Sequence, residues 1–262
     1  MRTRLIAEIG WNHMGDPNLM REMILAARDS GADYAKFQTW NPNRLKPGPW
    51  DDDGRREIYE KAHLTEEKHE LAASICSELG IQFLTSVFSL QDVPLVQSFS
   101  KDVKIPGHEI QNEELIRKCI DSFKRVYVSI GSGTFEESIK WAKYDNVWLM
   151  HCVSLYPCPA DKVNMTRMSR LRDHTPRIGY SGHYLGINDA LLAISLGAAV
   201  VEKHFTIDRD LPGRDNKYAI LPKEFSTIRE FLEDRECMVI DRGLDFQPDE
   251  MEVRDIYAGR WG

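Results

Sequence analysis

Gly197-Ala-Ala-Val-Val-Glu-Lys-His-Phe-Thr206 carries the pattern from which the whole chain is built. A helical run, Asp189–Gly197, ends on glycine, the residue that most readily stops a helix. Val200–Phe205 then predicts a short strand, opened by two valines and ending in ionisable groups before Phe205. Glu202 and His204 alternate by two, so both reach the same face at the strand's carboxyl end. Upstream, seven more runs repeat the pattern: Leu5–Gly10, Tyr34–Thr39, Ile81–Val87, Val103–Pro106, Val126–Ile130, Val147–Cys152 and Arg177–Ser181. Amphipathic runs lie between them, at Leu19–Ser30, Thr65–Gly80, Asn112–Phe123 and Phe135–Tyr144, and a last helix is expected near Pro222–Glu236. Eight strands, each followed by a helix, predict an α/β fold, a (β/α)8 TIM barrel, in one domain over residues 1–240 with a tail at 241–262.

The composition is that of an ordinary globular protein: 262 residues, 42% hydrophobic and 29% charged. Lys and Arg number 34 against 41 Asp and Glu, a net charge of −7, which leaves no basic field for nucleic acid or an anionic membrane. Ala190–Val201, interrupted by Ser195 and Gly197, is too short to cross a bilayer. The amino terminus meets Glu8 before any signal-type apolar region develops. Five cysteines without paired spacing fit a reducing compartment, so a cytoplasmic protein is expected.

Nearly every strand delivers a polar group at or near its carboxyl end. These are Glu8; Lys36 and Gln38; Thr85 and Ser86; Lys104, followed by His108 and Glu109; Ser129; His151 and Cys152; Ser181 and His183; and Glu202 and His204. Barrel enzymes gather their chemistry on that face, and a purely structural barrel has no reason to bear the desolvation cost. His183 and His204 follow adjacent strands and can form a divalent metal pair or a hydrogen-bonded core pair; spacing does not separate the two. His151 is expected as a satisfied interior histidine, and His63, His69 and His174 as surface residues. Lys36 and Lys104 sit inside otherwise buried strands and need anionic partners, either a phosphate or carboxylate ligand or an internal ion pair with Glu8 or Glu202. Ser129-Ile-Gly-Ser-Gly-Thr134 can cradle phosphate on its N–H groups or simply turn. Trp40–His63, rich in Pro, Gly and Asp, is expected as a lid over the mouth, with a loose insertion as the alternative.

In order along the chain, these strand ends resemble those of the sialic acid synthases. The resemblance rests on Ile6-Ala-Glu-Ile-Gly-Trp-Asn-His-Met-Gly15, Ala35-Lys-Phe-Gln-Thr39, Phe83-Leu-Thr-Ser86, Lys104-Ile-Pro-Gly-His-Glu109 and Ser129-Ile-Gly131. It continues through His151-Cys-Val-Ser-Leu-Tyr-Pro157, Gly179-Tyr-Ser-Gly-His-Tyr-Leu-Gly186 and Leu196–Thr206. It implies condensation of phosphoenolpyruvate with the open-chain aldehyde of an N-acetylmannosamine-like sugar, giving a nonulosonic acid and phosphate. It further implies a divalent metal, Mn2+ or Mg2+, on His183 and His204, and Glu8, Lys36 and Glu202 as the catalytic group. By the same resemblance Lys36, Lys104, Ser129 and Ser181 hold phosphoenolpyruvate, and Gln38, Glu109, Tyr156 and Asp215 meet the sugar. The alternatives are a 3-deoxy-ulosonate-type synthase with another aldose acceptor, or an inactive sugar-phosphate-binding barrel.

Three local departures from the family pattern stand out. Gly107-His108-Glu109 replaces Ser-Gly-Glu, removing a phosphate-binding hydroxyl. Ser181-Gly182-His183 replaces Ser-Asp-His, removing an acid beside a metal ligand. Gly213-Arg214-Asp215-Asn216 replaces Gly-Pro-Asp-His, with Arg214 a candidate to offset the lost serine. The family's small antifreeze-like lid domain is not expected after Gly262, which leaves self-association or a separate lid-supplying partner as open expectations. The aromatic and arginine side chains of Asp255–Trp261 are expected either to dock on the barrel or a neighbour, or to lie free.

Overall fold

The computed structural model describes residues 2–262. Eight strands form the closed parallel barrel that the pattern predicts: β1 (Arg4–Gly10), β2 (Tyr34–Thr39), β3 (Gln82–Val87), β4 (Asp102–Ile105), β5 (Arg125–Ser129), β6 (Val147–His151), β7 (Ile178–Gly182) and β8 (Val200–His204). Closure comes from β1 pairing with β8, which sets Ile6 against Glu202 and Glu8 against His204. The helices are α1 (Pro17–Asp29), α2 (Arg55–Lys61), α3 (Glu66–Leu79), α4 (Val93–Phe99) and α5 (Glu113–Ser122), then α6 (Phe135–Ile139), α7 (Met165–Leu171), α8 (Asn188–Ser195), α9 (Pro222–Met238) and α10 (Met251–Tyr257).

Local chemistry fixes several of these boundaries. Asp16, Thr65, Asn112 and Thr134 cap their helices by accepting backbone N–H groups, each contributing about 0.5–2 kcal/mol. Gly80 ends α3 at φ +75°, a conformation costly for residues with a Cβ. The helix expected over Phe135–Tyr144 stops at Ile139. From there the backbone tightens into i→i+3 turns that put Trp141 into the core at 1% exposure.

Two apolar layers result. Outside the strands, helix faces such as Met20, Met23 and Ile24 of α1 are fully buried. Inside, Ile6, Tyr34, Leu84, Tyr127, Trp148, Met150 and Val200 fill the lower barrel. Its amino-terminal end is sealed by a polar plug. Tyr34 Oη donates to Asp102 Oδ2 at 2.8 Å, Arg125 reaches the same oxygen at 2.7 Å, and Arg4 reaches Tyr127 Oη at 3.3 Å. The two-residue alternation that buries these side chains below puts Glu8, Lys36, Lys104 and Glu202 inside the barrel above them.

Residues 40–63 are ordered as short turns and α2, folded over the mouth as expected of a lid. Trp40 packs edge-on to Trp11 (6.1 Å between centroids), Tyr59 (5.5 Å) and Phe88 (6.1 Å), and its Nε1 donates to Tyr59 O at 3.1 Å. Past α9 the chain lies on the outside. Every residue of α10 is exposed, and Arg254 stacks on Phe246 while Arg260 stacks on Tyr257 and Trp261, so these side chains pack on one another. Among the described residues no helix is long and apolar enough to cross a membrane.

His69 corrects an expectation. It is fully buried rather than on the surface, with Nε2 2.8 Å from Thr39 Oγ1, Nδ1 2.9 Å from Thr65 O, and its ring stacked on Phe99. It lies on the inward face of α3, where its two ring nitrogens find partners that make burial affordable. His174 is exposed and His63 half-buried, while His151 is interior as expected but only half satisfied: its Nε2 lies 2.8 Å from Val163 O and its Nδ1 is buried without a hydrogen-bond partner.

Candidate active site

A cavity of about 990 Å3 opens at the carboxyl end of the barrel, and all twelve candidate site residues line it. On its floor, two lysines and two carboxylates alternate. Lys36 Nζ lies 2.6 Å from Glu8 Oε2 and 3.6 Å from Glu202 Oε1, and donates to Ser86 Oγ at 3.0 Å. Lys104 Nζ donates to both oxygens of Glu202, at 2.9 and 2.8 Å. Ser181 Oγ adds a third donor to Glu202 at 3.2 Å, and Gln38 Nε2 donates to Glu8 Oε1 at 2.6 Å. Of the two readings of the lysines, the internal ion pairs are the ones formed here. Gly10 makes the Gln38 contact possible, since a Cβ there would sit 3.1 Å from Gln38 Nε2 and 3.3 Å from Glu8 Oε1.

The two carboxylates differ in acidity because their surroundings differ. Burial pushes Glu8 up to about 7, with Glu202 adding repulsion, and Lys36 alone does not offset them. Burial acts on Glu202 too, but Lys104 and Lys36 together outweigh it and hold that carboxyl below its ordinary value. One group is therefore poised near neutrality beside another that stays ionised.

Across the cavity, the ring centroids of His183 and His204 lie 5.5 Å apart, with the Tyr156 ring against His183 at 3.9 Å, the two planes tilted by 38°. Burial lowers His183 to about 4 and His204 well below its ordinary value, so both rings are neutral near pH 7. His183 Nδ1 lies 2.8 Å from Val153 O, so it carries the proton and leaves Nε2 basic. His204 Nδ1 is a buried atom without a hydrogen-bond partner, 3.5 Å from Asp215 Oδ2. Two neutral nitrogen donors with an orphaned buried nitrogen suit a first-row divalent ion whose other positions are filled by water and substrate. Among the described residues no cluster of three or more His, Cys, Asp and Glu completes such a site from the protein alone. Burial raises Asp215 to about 6, and Tyr218 donates to its other oxygen. Glu109 lies at the rim, where it accepts from Asn112 at 2.8 Å, and Ser129 is buried at the end of β5.

The structure supplies groups that the strand pattern does not reveal. Ser154 follows β6 with its hydroxyl against the glycine turn after β5. A Cβ on Gly107 would lie 3.3 Å from Ser154 Oγ, and one on Gly131 would lie 2.4 Å away. A hydroxyl thus stands beside the place where Gly107 lacks one. Tyr218 joins Tyr156 around His204, its ring centroid 5.3 Å from the imidazole. Asn216 ties its own loop together, accepting from Thr206 at 2.6 Å and donating to Pro212 O at 2.8 Å.

Comparison with known proteins now becomes decisive. The signature of the NeuB family matches residues 23–241. The chain belongs to the NeuB family. This NeuB-family chain is 34% identical over 248 residues to an N,N'-diacetyllegionaminic acid synthase of Campylobacter jejuni, covering 87% of this chain and 74% of that one. It is 28% identical to a pseudaminic acid synthase of the same bacterium, covering 98% and 81% of the two chains. The crystal structure of a sialic acid synthetase from Leptospira borgpetersenii in complex with citrate superposes with a TM-score of 0.86 at 29% identity, covering 100% of this NeuB-family chain and 94% of that one. Those relatives are synthases of nonulosonic acids, and the NeuB-family chain is an enzyme of their kind.

Proposed function

We propose that this NeuB-family enzyme joins phosphoenolpyruvate to the open-chain aldehyde of an N-acylated amino sugar, such as N-acetylmannosamine, releasing phosphate and a nonulosonic acid. The observation that carries this reading is the floor of the cavity: two buried ammoniums with serine hydroxyls around them, facing a pair of neutral imidazoles. A trianionic enol phosphate matches the first half. Lys36 and Lys104, paired with Glu8 and Glu202 in the structure, would turn ammonium donors toward its oxygens, and Ser129 and Ser181 offer hydroxyls beside them. Gln38, Glu109, Tyr156 and Asp215, higher in the cavity, offer polar contacts to a sugar.

His183 and His204 would hold Mn2+ or Mg2+, which when bound supplies Lewis-acid polarisation of the aldehyde oxygen. C3 of the enol attacks the aldehyde carbon, leaving cationic character at C2 of the former enol. Glu202, held ionised by two lysines, stabilises that charge. Glu8, near its titration midpoint, takes one proton of the water that adds to C2 and passes it to the alkoxide left from the aldehyde. Collapse of the C2 hydroxyl to the ketone then breaks the C–O bond, and the departing phosphate carries off that hydroxyl's proton.

The decisive assay is phosphate release from phosphoenolpyruvate with Mn2+ present, across N-acylated hexosamines and plain aldoses. Release that requires an N-acylated aldose is expected. Release with plain aldoses alone indicates the ulosonate-type alternative, and failure to bind phosphoenolpyruvate sinks the proposal.

A pH profile tests the role of Glu8. A carboxyl raised to about 7 is protonated below that value and ionised above it. As a base it is active only when ionised, so kcat/KM should rise roughly tenfold per pH unit below about pH 7 and level off above it. Glu8→Gln should abolish that limb; a wild-type profile flat from about pH 6 to about pH 8 would exclude Glu8 as the base.

A further inference from the structure

Behind the mouth histidines lies a buried ion pair that the chemistry above does not use. Lys203 sits between Glu202 and His204 on β8, and the alternation of the strand turns it to the opposite face, away from the cavity. Its Nζ donates to Tyr184 O, the carbonyl of the residue after His183, at 2.8 Å. It also donates to both oxygens of Asp189, in the first turn of α8, at 3.0 and 2.9 Å. Each side chain is 2% exposed. Tyr180 Oη and the Ala190 N–H complete the set on Asp189, both at 2.9 Å.

The Asp189 carboxylate fills the space beside the end of β7. A Cβ on Gly182 would lie 2.3 Å from Asp189 Oδ2 and 2.6 Å from the Tyr180 ring. Residue 182 is therefore glycine because α8 already supplies an acid at that place. The acid expected on the strand has a counterpart on the following helix, and its partner is the lysine adjacent to His204.

We propose that Asp189 and Lys203 are positioning residues that fix His183 and His204 relative to each other. The backbone of Lys203 leads directly into His204, while its ammonium clamps the carbonyl beside His183, and Asp189 holds that ammonium in place. This inference rests on the two histidines holding a divalent metal.

The test measures Mn2+ affinity by calorimetry, and thermal unfolding in chelator, on the full chain. The variants are Asp189→Asn, Lys203→Met and the double variant Asp189→Leu with Lys203→Met. Breaking a buried pair destabilises a fold, whereas replacing both members with apolar side chains commonly does not. Each single variant is expected to lower both Tm and Mn2+ affinity, the latter at least about tenfold, as loss of an outer-shell support does. The double variant should recover part of the Tm lost by the single variants, since Tyr180 Oη and the Ala190 N–H still lose Asp189, yet remain at least about tenfold weak for Mn2+, because the clamp on Tyr184 O is gone. Wild-type affinity in the double variant, or in a single variant whose Tm has fallen, would show the pair to be scaffold only and overturn the proposal. Should the single variants not fold, the double variant alone decides. Wild-type protein that binds no Mn2+ would instead refute the metal reading on which the clamp depends.

Discussion

Lys36→Met should reduce phosphate release from phosphoenolpyruvate by roughly 10³-fold in kcat/KM, because each charge-assisted hydrogen bond lost contributes about 1.5–3 kcal/mol and the ammonium makes more than one. Lys36 is 2% exposed, 2.6 Å from Glu8 and 3.6 Å from Glu202, so its loss leaves those two carboxylates in one pocket with Lys104 as the remaining cation. Like charges so placed do not both stay ionised. Glu8, already at about 7, lacks the lysine that holds it down and should retain its proton well above that value. The fold survives by keeping a proton, and the catalytic base is lost with the ammonium. The variant should therefore melt cooperatively and bind phosphoenolpyruvate weakly by calorimetry. Its residual activity should rise only toward alkaline pH. Retention of more than about a tenth of wild-type activity would remove Lys36 from the donor site.

The second large effect is expected at the imidazoles. His183→Ala and His204→Ala should each weaken Mn2+ binding by at least about 100-fold, since each removes one of two protein nitrogen donors, and loss of an outer-shell support alone costs about 10–100-fold. Titration of free Mn2+ by electron paramagnetic resonance reads this directly, without turnover. The neutral state of both rings makes the effect specific. Burial already lowers His183 to about 4 and holds His204 well below its ordinary value, so binding at pH 7 does not have to displace ring protons. Unchanged Mn2+ affinity in both variants would place the metal elsewhere or exclude it.

The strands were legible in the sequence to within a residue at each boundary because two signals coincide. Apolar runs buried on both faces mark several strands, and a polar or ionisable group at or near the carboxyl end marks nearly all of them. Helices were less legible. Val93–Phe99 and Met165–Leu171 are seven residues each and follow turns, too short for an amphipathic period to show. The lining of the cavity was visible where side chains alternate along a strand, as for Glu202 and His204, and hidden where loops supply it. Tyr218 lines the cavity from a connection with no period, and Asp189 fills the space beside Gly182 from a helix turn that no strand motif records. His69 was missed for the converse reason: a polar residue in a helical run gives no sign of the two partners that let it be buried.

The plug of Tyr34, Asp102, Arg125, Tyr127 and Arg4 has a kinetic consequence. A barrel stoppered at one end is a blind well, with a single opening beneath residues 40–63. The lysine floor lies deep in the barrel and Tyr156 and Glu109, proposed sugar contacts, lie nearer the rim, so on the proposed chemistry a seated sugar would block the way down. On the proposed chemistry the enol phosphate is expected to enter first and the aldehyde second, a compulsory-order sequence rather than random addition. With excess sugar bound before the donor, the aldehyde should behave as a dead-end plug, and substrate inhibition by the acceptor should fade as phosphoenolpyruvate is raised.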